Sequence, residues 1–479
     1  MKLSIKLILI ILLPLFNLNA QRILTLQDAL SIALKESYGI KSAEYSLISS
    51  QKTLEAIKLG LMTSVDLEFD LPRYARTLSS EFNPLTGTEQ FFQRGYTTFE
   101  GRLFFTQPIV FTNGTFSLIG SLWRRDQFKE GADLPLDYYS NLSLRLQQPL
   151  FTFNTQKANL QRAEINLQRS QRNYTRAEKE VIYNVTASFY RLFQAKKNVE
   201  IARERVNQTE TSYNTALNKF KAGLIAEVEA LQLEVDLAVS RNELLNAERN
   251  FQEAKDDFKL LIGLSLRDSI DVAAELEYKP VSVDPQKAVN LALTNRPEIL
   301  NSEADIQLRE LNIDEVDSRG NISARLTANF GINKYDEQFR ELFRDFSEDR
   351  SVILTLNIPV LDWGRNNREV ESAQADLQLS ILNYENQKLQ IEKEIIEIVN
   401  KIESAKARVE VLSKSVEVAE KSYNISLQRF QSGNITSFDL SQMQIRLTDA
   451  KTNSLNALID YKLALADLAR RTLHDFETE

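Results

Sequence analysis

Four segments of the chain alternate apolar and polar residues at every second position. They are residues 64–71, 141–147, 325–330 and 352–358. The first places four apolar side chains on one side and three carboxylates on the other. Since successive strand side chains point to opposite faces of a sheet, each segment predicts a strand with one apolar and one polar face. Strands of about 10 residues with this pattern are typical of transmembrane β-barrels, which face lipid outside and water inside.

Two more alternating segments, residues 99–106 and 115–122, flank Thr112-Asn113-Gly114. Asn-Gly is a strong hairpin signal, so we predict an inserted hairpin over 99–127. The strand regions then extend over about 62–149 and about 323–359, with outer loops at 73–96 and 128–138. A soluble sandwich would also alternate, but no partner sheet is left over.

The hairpin leaves two barrel sizes open. If it joins the wall, each chain supplies six strands and three copies form an 18-stranded barrel. If it lies outside, the barrel has twelve strands. We favour six strands per chain, with Leu118 facing lipid and Ser117 facing the lumen.

Proline and glycine are nearly absent from two long stretches. No proline occurs between Pro149 and Pro280 or after Pro359, and Gly223 and Gly433 interrupt otherwise continuous helical sequence. Because proline and glycine disfavour helix interiors, we predict long helical hairpins over 154–262 and 365–470. A soluble all-helical coiled coil would fit these stretches but not the alternating segments.

The chain is internally duplicated. Residues 212–225 reappear at 422–435, an offset of 210, and residues 29–34 match 288–293, an offset of about 259. We therefore predict two structural repeats, 21–280 and 281–479, the first with roughly fifty additional residues.

The composition argues against several functions. Residues 1–20 have the basic, apolar and small-residue zones of a signal peptide, although a membrane anchor is an alternative. The net charge of −8 disfavours nucleic acid as a partner. With no cysteine and a single histidine, His474, the chain offers no evident catalytic or metal-binding set, so we expect neither an enzyme nor a cofactor.

These features together resemble the TolC family of outer-membrane efflux channels. The motifs that carry the resemblance are Gln148-Pro149, Ile358-Pro359, Asp362-Trp363-Gly364-Arg365, residues 220–224 and residues 430–433. The resemblance covers the mature chain and implies a mainly helical fold with a membrane β part, in which a trimeric barrel continues into a periplasmic α-helical barrel. It also implies a homotrimer in outer-membrane lipid, a periplasmic adaptor and an inner-membrane transporter.

The resemblance further implies site residues near the glycine turns. Tip residues expected to contact the adaptor are Gly223, Leu224, Glu229, Gly433 and Asn434. Asp439 falls where the family places a constriction carboxylate, and Gln442 stands where a second one occurs. Glu229 and Gln232 correspond to them in the first repeat.

Asp439 also has a simpler interpretation, as an exposed carboxylate favoured at a helix start. Asn434 and Ile435 stand where family members can carry an arginine, so the resemblance does not identify the residues that lock the closed state.

The leading functional hypothesis is a passive outer-membrane duct for efflux or type I secretion. The alternative is a barrel-anchored structural or adhesive coiled-coil envelope protein. The sequence does not indicate the cargo.

Overall fold

The computed structural model describes residues 22–129, 135–273 and 277–476. The predicted signal peptide lies outside these ranges. The helices are α1 Leu26–Glu36, α2 Tyr38–Gly60, α3 Thr155–Lys221, α4 Glu227–Ile262, α5 Pro285–Asn295, α6 Pro297–Ser318, α7 Arg365–Gln431 and α8 Ser437–Thr472. The strands are β1 Arg22–Leu24, β2 Ser64–Asn83, β3 Thr88–Ile109, β4 Gly114–Lys129, β5 Asp137–Leu150, β6 Ile270–Val272, β7 Ser323–Asp336 and β8 Ser347–Asn357, with a 3-10 helix at Phe339–Phe343. No helix in these ranges is apolar over a long enough stretch to span a membrane.

The helix lengths confirm the duplication. Helices α3 and α7 each have 67 residues, and α4 and α8 each have 36. Both pairs begin 210 residues apart. Helices α1 and α5 each have 11 residues and begin 259 residues apart. The two offsets in the sequence therefore mark equivalent elements.

The chain divides into two compact units. One comprises residues 1–45, 173–299 and 387–479, and the other comprises residues 46–172 and 300–386. The second unit contains a six-stranded antiparallel sheet in the order β2-β3-β4-β5-β7-β8. The inserted hairpin, β3 and β4, therefore lies within the sheet rather than outside it.

The strand register gives the sheet two distinct faces. Leu118 of β4 lies opposite Phe105 of β3 and Leu144 of β5, which in turn lies opposite Phe330 of β7. We call this side the apolar face; it includes Val65, Leu67, Phe69, Leu103, Phe105, Phe116, Leu118, Leu122, Leu142, Leu144, Phe330, Ile332, Val352 and Leu354. Ser117 is on the other side, the polar face, which includes Asp66, Glu68, Asp70, Arg102, Arg125, Asp137, Arg145, Asn329 and Ser351.

The predicted outer loop over 73–96 is wrong, because most of it is strand. Strand β2 continues to Asn83 and β3 begins at Thr88, so the two form a ribbon that turns at residues 84–87. The pairing slips between Asp70 and Arg73, and such a bulge shifts the alternation of side chains that predicted the first part of β2. Of the second predicted loop, 128–138, residues 130–134 lie outside the described ranges, while β4 reaches Lys129 and β5 starts at Asp137.

The turn between β3 and β4 is held against the start of α3. The amide of Asn154 donates to the Val110 carbonyl at 2.7 Å, and its own oxygen accepts from the Lys157 N–H at 2.9 Å. The Asn113 side chain donates to the Phe153 carbonyl at 3.2 Å. The Asn-Gly turn therefore lies at the end of the sheet where the strands connect to helices.

The first unit contains a parallel pairing that the sequence did not suggest. Strand β1 pairs with β6, and Asp271 of β6 receives hydrogen bonds from Lys196 at 2.8 and 2.9 Å. Both strands lie on a core that includes Phe189, Phe258 and Ile262. Strands of three residues are too short to show alternation.

Candidate functional site at the ends of the helical hairpins

Both long hairpins turn through a glycine with left-handed backbone. Gly223 has φ +72° and Gly433 has φ +81°. In the first turn the Leu224 N–H donates to the Lys219 carbonyl at 2.9 Å, and in the second the Asn434 N–H donates to the Arg429 carbonyl at 2.8 Å. This pattern is the Schellman motif, which ends a helix and satisfies its last carbonyls. The five-residue tips are therefore built alike in the two repeats.

The second hairpin restarts with a capping box. Thr436 is the N-cap of α8, and its hydroxyl accepts from the Asp439 N–H at 3.2 Å. The Asp439 carboxylate accepts in return from the Thr436 N–H at 3.2 Å and from its hydroxyl at 2.8 Å. Asp439 is exposed and acts as a helix-start carboxylate, as the simpler interpretation expected. It keeps a negative charge beside the turn, so a constriction role stays a prediction.

The first hairpin has no such cap, and the carboxylate at the equivalent position, Glu229, contacts the second hairpin instead. Ala226 precedes α4 without a side-chain cap. Glu229, the counterpart of Asp439, instead accepts from the backbone N–H of Ser437 at 3.4 Å. That N–H is one of the unpaired donors at the start of α8. Glu229 and Asp439 therefore meet at the same helix N-terminus.

A second contact between the hairpins is at the C-terminal end of α7. The ammonium of Lys219 in α3 donates to the carbonyl of Phe430 in α7 and lies 4.7 Å from the centre of the Phe430 ring. A cation at a helix C-terminus is favoured by the helix dipole. The sequence offered one signal for this role, since basic residues occur in the last turns of both α3 and α7.

The hairpins pack through an apolar cluster that has a buried amide beside it. The cluster includes Ala216, Ala230, Leu233, Tyr423, Phe430, Leu440 and Leu447. Beside it, the Gln444 side chain is 3% exposed and donates to the Thr209 hydroxyl at 2.8 Å and to the Arg205 carbonyl at 3.2 Å. Burial raises the pKa of Tyr423, and the nearby Glu204 carboxylate raises it further, so this phenol stays neutral. Because a buried amide needs hydrogen-bond partners, the Gln444 contacts favour one alignment of α8 along α3.

The remaining predicted tip residues lie on the surface. Leu224 is 72% exposed, and Gly223, Gly433 and Asn434 are exposed as well. Gln442 is half-buried on α8. The structure thus leaves both turns accessible and engages Glu229 and Asp439 in helix capping.

The polar face of the sheet also carries charges that pair across strands. Arg102 lies 3.3 Å from Glu68 and 3.0 Å from Asp70. Asp137 is fully buried and accepts from Arg125 at 2.7 Å and from the Tyr335 hydroxyl at 2.6 Å. These contacts join β2 to β3 and join β4, β5 and β7. No cluster of three potential metal ligands occurs in the part of the chain that the structure describes.

A family model described as "Outer membrane efflux protein" matches residues 131–264 and 288–472, more than half of the chain. Among individual proteins, the chain is 24% identical over 211 residues to the probable outer membrane lipoprotein SilC of Salmonella typhimurium, a match over 44% of this chain and 45% of SilC. It is 23% identical over 217 residues to the cation efflux system protein CusC of Escherichia coli, over 44% of this chain and 45% of CusC. The matched region thus spans less than half of each relative.

Among solved structures, the chain resembles the outer membrane channel CmeC of Campylobacter jejuni. The TM-score is 0.70 at 16% identity, covering 93% of this chain and 85% of CmeC. At this identity the likeness concerns the fold.

Proposed function

Because the chain belongs to the outer membrane efflux protein family, we propose that three copies form a passive duct across the outer membrane, the exit channel of a tripartite efflux or type I secretion system. In this proposal the glycine-turn ends of the hairpins are the periplasmic entrance, where an adaptor and an inner-membrane transporter connect. The observation that carries it is the two-faced six-stranded sheet with two open edges.

The sheet has the properties of one third of a barrel wall. Its apolar face suits lipid and its polar face suits a wet lumen. Strands β2 and β8 form the edges and lack a partner within the described residues. An open, partly apolar edge is a liability that barrels remove by closure. Six strands from each of three copies give an 18-stranded wall, wide enough for an aqueous lumen.

The apolar band is nearly as tall as that of an outer-membrane barrel. On β7 it runs from Ala324 to Ile332 and ends before Lys334. Eight steps of about 3.3 Å give about 26 Å along the strand, which a tilt of about 40° reduces to about 20 Å of height, compared with about 25 Å in such barrels. At the helix-connected end Phe111 and Trp363 are 93% and 90% exposed, as expected of aromatic residues at a membrane interface.

The duplication predicts how neighbouring copies pair. Within the chain, Gln147 of β5 lies opposite Thr327 of β7. The offset of 210 carries Gln147 to Asn357 of β8, and the offset of 259 carries Thr327 back to Glu68 of β2. If the copies repeat the internal geometry, Asn357 of one chain therefore faces Glu68 of the next. Both residues belong to the polar side of their strands, and the adjacent pair Phe69 and Leu356 is apolar on both strands.

Single-channel recording tests the proposal. The full chain, reconstituted in planar bilayers, should give stable unitary currents that heat-denatured protein from the same preparation does not give. Folded trimers without any current would favour the adhesive alternative instead.

A further inference from the structure

The loop between β7 and β8 folds back over the apolar face. Leu342, in the 3-10 helix Phe339–Phe343, is fully buried, and its carbonyl accepts from the Ser140 hydroxyl at 3.1 Å. The Phe339 ring meets the Tyr138 ring edge-on, with centroids 5.6 Å apart. Ser140 and Tyr138 are on the apolar side of β5. The loop is thus fixed to the apolar face of the sheet.

Between the loop and the sheet lies a cavity of about 460 Å³. Side chains of the apolar face and the loop form its walls, namely Leu67, Phe69, Leu103, Leu122, Leu142, Ile332, Phe343 and Phe346. Two glycines of the same face, Gly101 and Gly120, deepen its floor. A Cβ built on Gly120 would meet only Leu142, at 3.7 Å, so the space above this glycine is open.

The position of the cavity indicates what fills it. On their strands, Ile332 and Leu122 end the unbroken run of apolar residues on this face, since Lys334 and Arg124 follow on the same face. The cavity therefore lies at the edge of the apolar band furthest from the helices. In an outer-membrane protein this edge meets the outer leaflet, and the medium continuous with it is lipid hydrocarbon.

We propose that this cavity binds one acyl chain of an outer-leaflet lipid per protomer. Its volume falls in the range of small-molecule sites, about 300–1,000 Å³. The loop has no net positive charge that would select an acidic headgroup, because Arg340 and Arg344 are accompanied by Glu337, Glu341 and Asp345. The inference rests on the membrane placement in the proposed function.

The test measures lipid retained by the intact trimer. Full-length protein in detergent is titrated with palmitoyl lysophosphatidylcholine and, separately, with palmitoyl lysophosphatidylglycerol, and bound lipid is counted by native mass spectrometry. Wild-type protein should bind one molecule per protomer with either headgroup. Gly120→Phe, which places a ring in the cavity, should weaken binding roughly tenfold or more. Leu118→Phe is the matched control, on the same strand and face but outside the cavity, and should bind as wild type does.

A second variant covers the case in which Gly120→Phe fails to assemble. Phe343→Ala with Phe346→Ala removes the outer wall of the cavity without crowding the sheet and should also lose binding. Equal binding by the cavity variants and wild type would overturn the inference, as would a preference for one headgroup. Conductance is recorded on the same samples. We expect the cavity variants to lose lipid binding while their channel currents stay normal. Normal lipid binding by a wild-type protein that gives no current would contradict the proposed channel function but not the lipid site.

Discussion

Asp439 combines a helix cap and a negative charge, and two substitutions separate them. Asp439→Asn removes the charge but keeps an oxygen that can accept from the Thr436 N–H. Thr436→Ala removes the capping box but leaves the carboxylate in place. If three copies of Asp439 surround the entrance, only the first substitution should alter ion selectivity.

The expected effects of the two substitutions on helix stability and on ion selectivity are large enough to be told apart. Loss of the threonine cap costs about 1 kcal/mol of helix stability. A unit charge within about 8 Å of a passing ion contributes about 2 kcal/mol at an effective dielectric constant of about 20, and salt reduces this. Even a net loss of about 1.4 kcal/mol changes a permeability ratio about tenfold. We therefore expect Asp439→Asn to lower the cation-to-anion permeability ratio roughly tenfold while Thr436→Ala leaves it near the wild-type value.

The assay is the reversal potential in planar bilayers under a salt gradient, repeated at higher ionic strength, where the difference should shrink. Unchanged selectivity in Asp439→Asn would reduce Asp439 to its capping role. Equal shifts in both variants would show that helix fraying, rather than charge, controls the entrance.

Three further predictions concern stability and topology. Gly263→Ala should lower the unfolding free energy by about 3 kcal/mol, because Gly263 has φ +82° and a Cβ would lie 2.8 Å from a backbone oxygen. Gly433→Ala should lower it by only about 1 kcal/mol, because the space around Gly433 is open. Equal thermal midpoints for the two variants would refute this difference. Burial alone would raise the pKa of Asp271, but hydrogen bonds from a lysine and a backbone N–H lower it overall, so its stabilisation is present above about pH 4 and is lost as pH falls through the lowered value. Asp271→Asn should thus lower the thermal midpoint at neutral pH and progressively less in acid, and a constant deficit would contradict this. Cysteines replacing Ser117 and Leu118 should differ in labelling by a water-soluble thiol reagent, with only the first reactive, and equal labelling would exclude the assigned faces.

The sequence predicted those features that repeat over many residues. Alternation located the six sheet strands, and the absence of proline and glycine located the long helices. The equal offsets anticipated equal helix lengths. The turn at Gly433 was predictable because a glycine interrupts an otherwise unbroken helical pattern.

Features that depend on contacts distant in sequence were not predictable. The outer half of β2 was missed because a bulge changes its side-chain phase. The contact between Glu229 and Ser437 joins the two repeats, and equivalence in sequence gave no indication that one carboxylate caps its own helix while the other reaches across. The cavity between the β7–β8 loop and the sheet depends on how that loop folds, which no local pattern specifies.

Closure of three sheets through β8 and β2 is tested most directly by a disulfide at the predicted register. The chain has no cysteine, so introduced pairs are unambiguous. Glu68→Cys with Asn357→Cys should give a covalent trimer when membranes are oxidised. Asp66→Cys with Asn357→Cys, displaced by about 7 Å on the same face, should give little. Monomers or dimers alone from the first pair, or equal trimer from both, would contradict the shared 18-stranded wall.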